Sequence, residues 1–230
     1  MKINILQLVS GAKEAKGITV IIDVFRAFTM EAYFMALGAE KVIPVGNLEV
    51  AYELKKQNPE YLLSGERFGD ILPGCDMGNS PSSLLNMDLT GKTIVHTTSA
   101  GTQGVANAVN ADEILGASLV NARATAEYIK KSGAKEVSLV CMGYAAMSKT
   151  EEDTLCAEYI KSLLEGKDID IANQINKLKF TSGAKFFDEK QKKVFPTEDF
   201  YLCTELNKFD FVLKLNQNAS LPYMEKKIII

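Results

Sequence analysis

The chain contains no tryptophan and a single histidine, His96. One imidazole cannot supply the histidine pair of two-histidine phosphatase chemistry. The four cysteines, Cys75, Cys141, Cys156 and Cys203, contain no C-x-x-C pair, so a zinc site is not expected. Reduced thiols are the expectation for a cytosolic chain. No cysteine is followed six positions later by arginine, which removes the thiol-phosphatase nucleophile. No Asp-x-Asp follows an apolar strand, so an aspartyl-phosphate route lacks its signature, and no G-x-x-x-x-G-K-[ST] loop is present to cradle a nucleoside triphosphate. No apolar run reaches the ~20 residues of a membrane helix. The first residues, MKINILQLVSGAKEAKG, lack the apolar stretch and cleavage site of a signal peptide. The expected location is cytoplasmic. A net charge of −3 argues against nucleic acid or an anionic membrane as partner.

Arginine is also scarce. Arg26, Arg67 and Arg123 are the only arginines among 26 basic residues. A guanidinium binds phosphate, sulfonate or carboxylate through two parallel hydrogen bonds, which an ammonium cannot copy. Two of the three lie inside the motifs described below, whereas Arg123 falls in a predicted helix and reads as structural.

What is present is an alternation of strand and helix signals. Short apolar, β-branched runs at 18–25, 41–45, 61–64, 92–98, 112–118 and 136–143 read as buried strands. Between them, 28–39, 48–57, 99–109, 119–133 and 151–166 carry helical spacing. Such alternation implies right-handed βαβ crossovers and a mostly parallel or mixed sheet covered on both faces, in one α/β domain spanning 1–230. Beyond about residue 170 the pattern weakens, with a helix at 171–180 and late strands at FDFVLKL and KKIII the best readings.

Ligands of open α/β sheets bind outside the carboxyl ends of the strands, so the residues there are the candidates. Asp23 and Arg26 follow the first core strand. A long loop over 65–81, rich in Gly and Pro, holds Glu66, Arg67, Asp76, Asn79 and Ser80, with Pro81 set to open a helix. Thr97, Thr98, Ser99, Ala100, Gly101 and Thr102 form a hydroxyl-rich turn into a helix, a plausible phosphate cradle. Cys141, Met142 and Gly143 end another strand, and Glu151, Glu152 and Asp153 open the next helix. Those acids suit the helix dipole, and Glu152 or Asp153 is also a candidate metal ligand. By elimination the chemistry left is metal-assisted hydrolysis, with carboxylates placing Mg²⁺ and arginines and N–H groups holding phosphoryl oxygens.

The ordered set IIDVFRAFT, GERFG with GCDMGNSP, TTSAGT, CMG and EEDTLCAEYI, over about residues 18 to 165, closely resembles the 2-phosphosulfolactate phosphatases. The resemblance implies a three-layer α/β/α fold and a Mg²⁺-dependent phosphatase that converts 2-phospho-3-sulfolactate to 3-sulfolactate and phosphate, a step toward coenzyme M. It implies a site made of Asp23, Arg26, Glu66, Arg67, Asp76, Asn79, Ser80, the Thr97–Thr102 loop and Asp153. Cys75 and Phe28 stand where the family pattern leads one to expect Phe and Ser. The expected roles are Asp23, Asp76 and Asp153 as metal ligands or water activators and Arg26 and Arg67 as anion clamps, with Gly143 at the pocket wall. The expected partner is a small phosphorylated acid, and the expected assembly a homodimer. Another phospho-hydroxy acid as substrate, or a non-catalytic anion-binding role, are the rival readings.

Overall fold

The computed structural model describes residues 1–229. In chain order the elements are β1 (Lys2–Gln7), α1 (Leu8–Glu14), β2 (Gly17–Ile22), α2 (Ala27–Ala36), β3 (Lys41–Pro44), α3 (Leu48–Gln57), β4 (Leu62–Arg67) and β5 (Asp70–Ile71). They continue with β6 (Thr93–Thr97), α4 (Gly101–Asn107), β7 (Ala111–Ala117), α5 (Ala122–Ser132), β8 (Glu136–Cys141), α6 (Glu151–Glu165), α7 (Ile171–Leu178), α8 (Thr197–Thr204), β9 (Phe211–Asn216) and β10 (Tyr223–Ile228). The expected strand KKIII thus contributes to β10, while Ile230 lies outside the described residues. β1, from a segment without an evident strand signal, pairs in parallel with β8.

The sheet is mixed, in the order β1-β8-β2-β7-β9-β10-β3-β6-β4-β5. Two parallel runs, β1-β8-β2-β7 and β3-β6-β4, are joined by the antiparallel hairpin β9–β10. Side-chain alternation along β2 explains how the layers form. Ile18, Val20 and Ile22 pack into the core beneath α5 and α6, while Ile21 packs on the other side with α1, α2 and α4. Helices on both faces and a sheet between them make the three-layer α/β arrangement.

Helix α2 is buried from Ala27 through Met35. Its sequence, AFTMEAYFMA, is apolar nearly all round, the pattern of a helix enclosed by protein. Phe28 and Phe34 are fully buried there, each contributing roughly 2–3 kcal/mol through apolar burial. The single histidine serves this core: His96 Nδ1 lies 2.9 Å from Glu31 Oε1, and both side chains are fully buried. A separate cluster of Leu155, Leu178, Phe186, Phe195 and Phe200 holds the segment from α7 to α8 against α6. Among the described residues no helix is long and apolar enough to cross a membrane.

One boundary differs from the sequence reading in a way that matters. The loop expected from residue 65 begins later, because β4 runs through Gly65, Glu66 and Arg67. Consecutive strand residues point to opposite sides. Glu66 and Arg67 therefore cannot share a pocket.

Candidate active site

The loops after β2, β6 and β8 meet the end of β4 and the start of α6 around one narrow cleft. Asp23, Glu66, Ser99, Ala100 and Gly143, at or just beyond strand ends, form its floor with Asn79 from the loop after β5 and Glu152 from the first turn of α6. Lys185 and Phe195, from the segment between α7 and α8, cover it, and Phe68 and Tyr144 stand at its lip.

Asp23 is 6 % exposed, and its Oδ1 accepts a 3.1 Å hydrogen bond from the Ala27 N–H. Burial, with added repulsion from Glu66 and Glu152, pushes its carboxyl up to about 7. Glu152 is also buried and pushed up, chiefly by desolvation, and its Oε2 has no hydrogen-bond partner. Asn79 Oδ1 is a second buried acceptor without a partner. Native proteins rarely leave such atoms unpaired, so two orphaned acceptors in one cleft beside Asp23 point to a missing donor or cation.

Two further acids hold the floor in shape. Glu66 Oε1 accepts from the Ser99 N–H at 2.7 Å, and Oε2 accepts from the Gly69 N–H at 2.6 Å. Asp153 accepts from the Val24 N–H at 2.8 Å through Oδ1 and from the Gly143 N–H at 2.8 Å through Oδ2. Asp153 thus ties the ends of β2 and β8 to the first turn of α6. Gly143 has φ +68°, and a Cβ there would lie 2.1 Å from the Ser148 carbonyl oxygen, so this turn accepts only glycine. Gly101 is constrained by proximity: a Cβ would meet Ala27 at 2.7 Å and the Asp23 carboxylate at 3.0 Å.

Arg26 lines the cleft with its guanidinium anchored. Its Nη1 donates to Asp199 Oδ2 at 2.7 Å and to the Val194 carbonyl at 2.9 Å, and its guanidinium stacks 4.9 Å from the Phe195 ring centroid. Asp199 is fully buried and also accepts from Ser80 Oγ at 2.7 Å and from the Ser82 N–H at 2.9 Å. Lys185 is the other cation. Burial, with Arg26 nearby, holds its ammonium below the usual lysine range, opposed by Glu152 and Asp23.

The remaining expected residues lie elsewhere. Arg67 turns to the opposite side of β4, donating to the Glu66 carbonyl at 2.6 Å and to Thr97 Oγ1 at 3.1 Å. Thr98 and Thr102 satisfy each other, the Thr98 N–H donating to Thr102 Oγ1 at 3.0 Å and the Thr102 N–H to Thr98 Oγ1 at 3.2 Å. Of the expected cradle, Ser99 and Ala100 reach the cleft. Ser80 is occupied by Asp199. Asp76 sits at the outer edge of β4, where it accepts from the Leu63 N–H at 2.7 Å and pairs with Lys55 at 3.0 Å. Partial burial raises its carboxyl, but these two partners outweigh that and hold it below the usual range. Asp23, Asp76 and Asp153 are therefore not brought together: one is on the floor, one is outside, and one has both oxygens engaged by backbone. Among the described residues no three His, Cys, Asp or Glu side chains group to hold a metal by themselves. Asp76→Asn should keep kcat/KM within about threefold of the unsubstituted protein, losing about 1 kcal/mol of stability; a hundredfold loss of activity would put Asp76 back in the site.

The thiols do not supply a nucleophile. Burial, then Asp76, pushes Cys75 up to about 11, and Cys141 is raised further by burial beside Asp153. Neither is a thiolate near neutral pH.

Sequence reasoning missed Lys185 and Asp199, and it offered Glu152 only as an alternative to Asp153. The one signal near Lys185 was aromatic density, with Phe180, Phe186, Phe187 and Phe195 falling within sixteen residues.

Buried acids with raised proton affinity, faced by a lysine and an anchored arginine, line one cleft of this α/β fold. The family model described as 2-phosphosulpholactate phosphatase matches residues 3–218. The chain belongs to the 2-phosphosulfolactate phosphatase family, a group of phosphoric monoester hydrolases. It is 35% identical over 214 residues to a probable 2-phosphosulfolactate phosphatase of Bacillus subtilis (strain 168), covering 92% of each chain. It is 32% identical over 226 residues to a protein of the same description from Thermoplasma volcanium, covering 97% of this chain and 98% of that one. A third, from Carboxydothermus hydrogenoformans, is 40% identical over 177 residues, covering 76% and 72%.

Proposed function

We propose that this chain hydrolyses 2-phospho-3-sulfolactate to 3-sulfolactate and inorganic phosphate, with Mg²⁺ as its metal. The observation that carries the reading is the cleft floor, where crowded acids and unpaired buried acceptors face a basic cover. The donor set fits a hard cation. Asp23, Glu152 and the Asn79 amide oxygen are oxygen donors, two of them with orphaned atoms. Mg²⁺ characteristically takes one or two carboxylates and completes its shell with water and substrate phosphate, so a three-acid cage is unnecessary. Glu152 and Asn79, whose orphaned oxygens line the cleft, would hold the ion in place of the trio expected from sequence, leaving Asp23 beside it as a base. When bound, it supplies Lewis acidity toward the phosphoryl oxygens and toward water.

The protein's own residues do the rest. Asp23, whose proton affinity burial raises in the metal-free protein, is suited to take the proton of the attacking water and return it to the hydroxy-acid oxygen as the P–O bond breaks. Glu66 fixes Ser99 and Gly69, so the turn lining the cleft keeps its shape. Phe68, Tyr144 and Phe195 limit the entry of bulk water.

The test is phosphate release from 2-phospho-3-sulfolactate, phospholactate, phosphoglycerate and p-nitrophenyl phosphate, with Mg²⁺ and with EDTA. Mg²⁺-dependent turnover fastest on the sulfonate is the expected result. Faster turnover of another phospho-acid would keep the reaction and replace the substrate. Turnover undiminished in EDTA would remove the metal, and no turnover under any condition would make this an anion-binding protein.

A further inference from the structure

The two basic side chains lining the cleft differ in what they have left to offer. Arg26 is anchored inside the protein, both Nη1 hydrogens going to Asp199 and the Val194 carbonyl and Nη2 to the Gly69 carbonyl. The Lys185 ammonium has no hydrogen-bond partner among the described residues. It is surrounded by rings instead, with Nζ 4.9 Å from the centroid of Phe195, 5.2 Å from Tyr144, 5.5 Å from Phe186 and 5.8 Å from Phe25. Aromatic faces hold a cation in place electrostatically without consuming its N–H groups. Lys185 therefore presents three donors, desolvated on the ring side and open to the cleft.

The substrate proposed above carries three acidic groups. The floor offers Asp23, Glu152 and Asn79 Oδ1, all acceptors, which repel a second anion unless a cation intervenes. A permanently charged group that is not transferred must find its donor on the cover. A sulfonate presents three oxygens to a point charge and is weakly hydrated, which suits a lysine already stripped of water by rings. A planar carboxylate is matched better by an arginine fork.

We propose that Lys185 is the specificity-determining residue of this cleft and binds the sulfonate of the substrate through its free N–H donors. The inference rests on the function proposed above and names the protein group that reads the sulfonate.

Kinetics of the unsubstituted protein, Lys185→Met and Lys185→Arg on 2-phospho-3-sulfolactate and on 2-phospholactate, which lacks the sulfonate, test it. For Lys185→Met we expect kcat/KM on the sulfonate to fall about 10- to 100-fold, the range of one charge-assisted hydrogen bond. The loss should lie in KM, with kcat within about threefold and 2-phospholactate turnover nearly unchanged. Lys185→Arg should recover part of the KM. An equal loss on both substrates would place Lys185 on the phosphoryl group, and no loss on either would make it structural; both results overturn the proposal. Calorimetric binding of 3-sulfolactate separates this failure from that of the function itself. If the unsubstituted protein hydrolyses neither compound, the function is refuted, yet about tenfold weaker 3-sulfolactate binding by Lys185→Met still supports the residue assignment, and unchanged binding refutes it. Should the methionine variant fail to fold, Lys185→Gln takes its place in both measurements.

Discussion

Asp23→Asn is expected to lower kcat about 100- to 10,000-fold while making the metal-free protein more stable at pH 8. Both effects follow from one position. The native carboxyl titrates near 7 against an ordinary value of 3.8. Between those values the folded protein holds a proton that the unfolded chain releases. Stability of the metal-free protein is therefore greatest below about pH 4 in this term, falls as pH rises, and is fully lost above about 7. The loss is on the order of a few kcal/mol, shared with the neighbouring Glu152. Asparagine keeps the acceptor for the Ala27 N–H and removes the charge. Thermal unfolding in EDTA at pH 5 and pH 8 reads the sign: the advantage of Asp23→Asn should appear at pH 8 and shrink at pH 5. An advantage of equal size at both values would mean that Asp23 is not the group resisting ionisation.

Asp199→Ala should produce the largest loss of stability of any single change near the cleft. Asp199 and Arg26 are 0 % and 2 % exposed, so deleting the acid strands a buried guanidinium. Breaking such a pair costs about 3–5 kcal/mol, a large share of the roughly 5–15 kcal/mol that keeps a domain folded. The Ser82 N–H and Ser80 hydroxyl lose their acceptor in the same step. A fall in Tm of roughly 6–20 °C is expected at this chain length. The paired change Arg26→Met with Asp199→Leu should recover much of that stability, because a buried ion pair replaced by apolar groups is often neutral. It should not recover activity, since Arg26 sets the position of Phe195 and the cover. Recovery of both would show the pair to be structural only.

The parts of the molecule legible from sequence are those governed by local periodicity. The β-branched run of β2, the amphipathic α5 and the acidic first turn of α6 announce themselves over short windows. Asp23, Arg26, Asn79, Ser99, Ala100 and Gly143 follow from the rule that strand ends carry ligands, and the structure brings them to one cleft. Arg67 was misplaced because a loop was expected where β4 continues, and the pleat sends it away from Glu66. Asp76 does lie in the loop, but its partners Leu63 and Lys55 hold it at the sheet edge. Asp153 was read as a ligand because one carboxylate at a helix start looks like another. Its two backbone partners arise from strands distant in sequence, and no local pattern reports them. Lys185 and Asp199 were invisible for the same reason. One lysine among 23 is marked in sequence only by its aromatic neighbours, and its position shows when Phe25 and Tyr144 from distant segments join Phe186 and Phe195 round it.

The hairpin β9–β10 comes last in the chain yet lies in the middle of the sheet, bridging β7 to β3. The two parallel runs must therefore wait, each with an unpaired edge, until the hairpin docks between them. Pairing that spans from Val42 to Met224 gives this topology a high contact order. Folding is thus set to be slow and nearly all-or-none, and a chain stopped before residue 211 would leave β7 and β3 as two further unpaired strand edges.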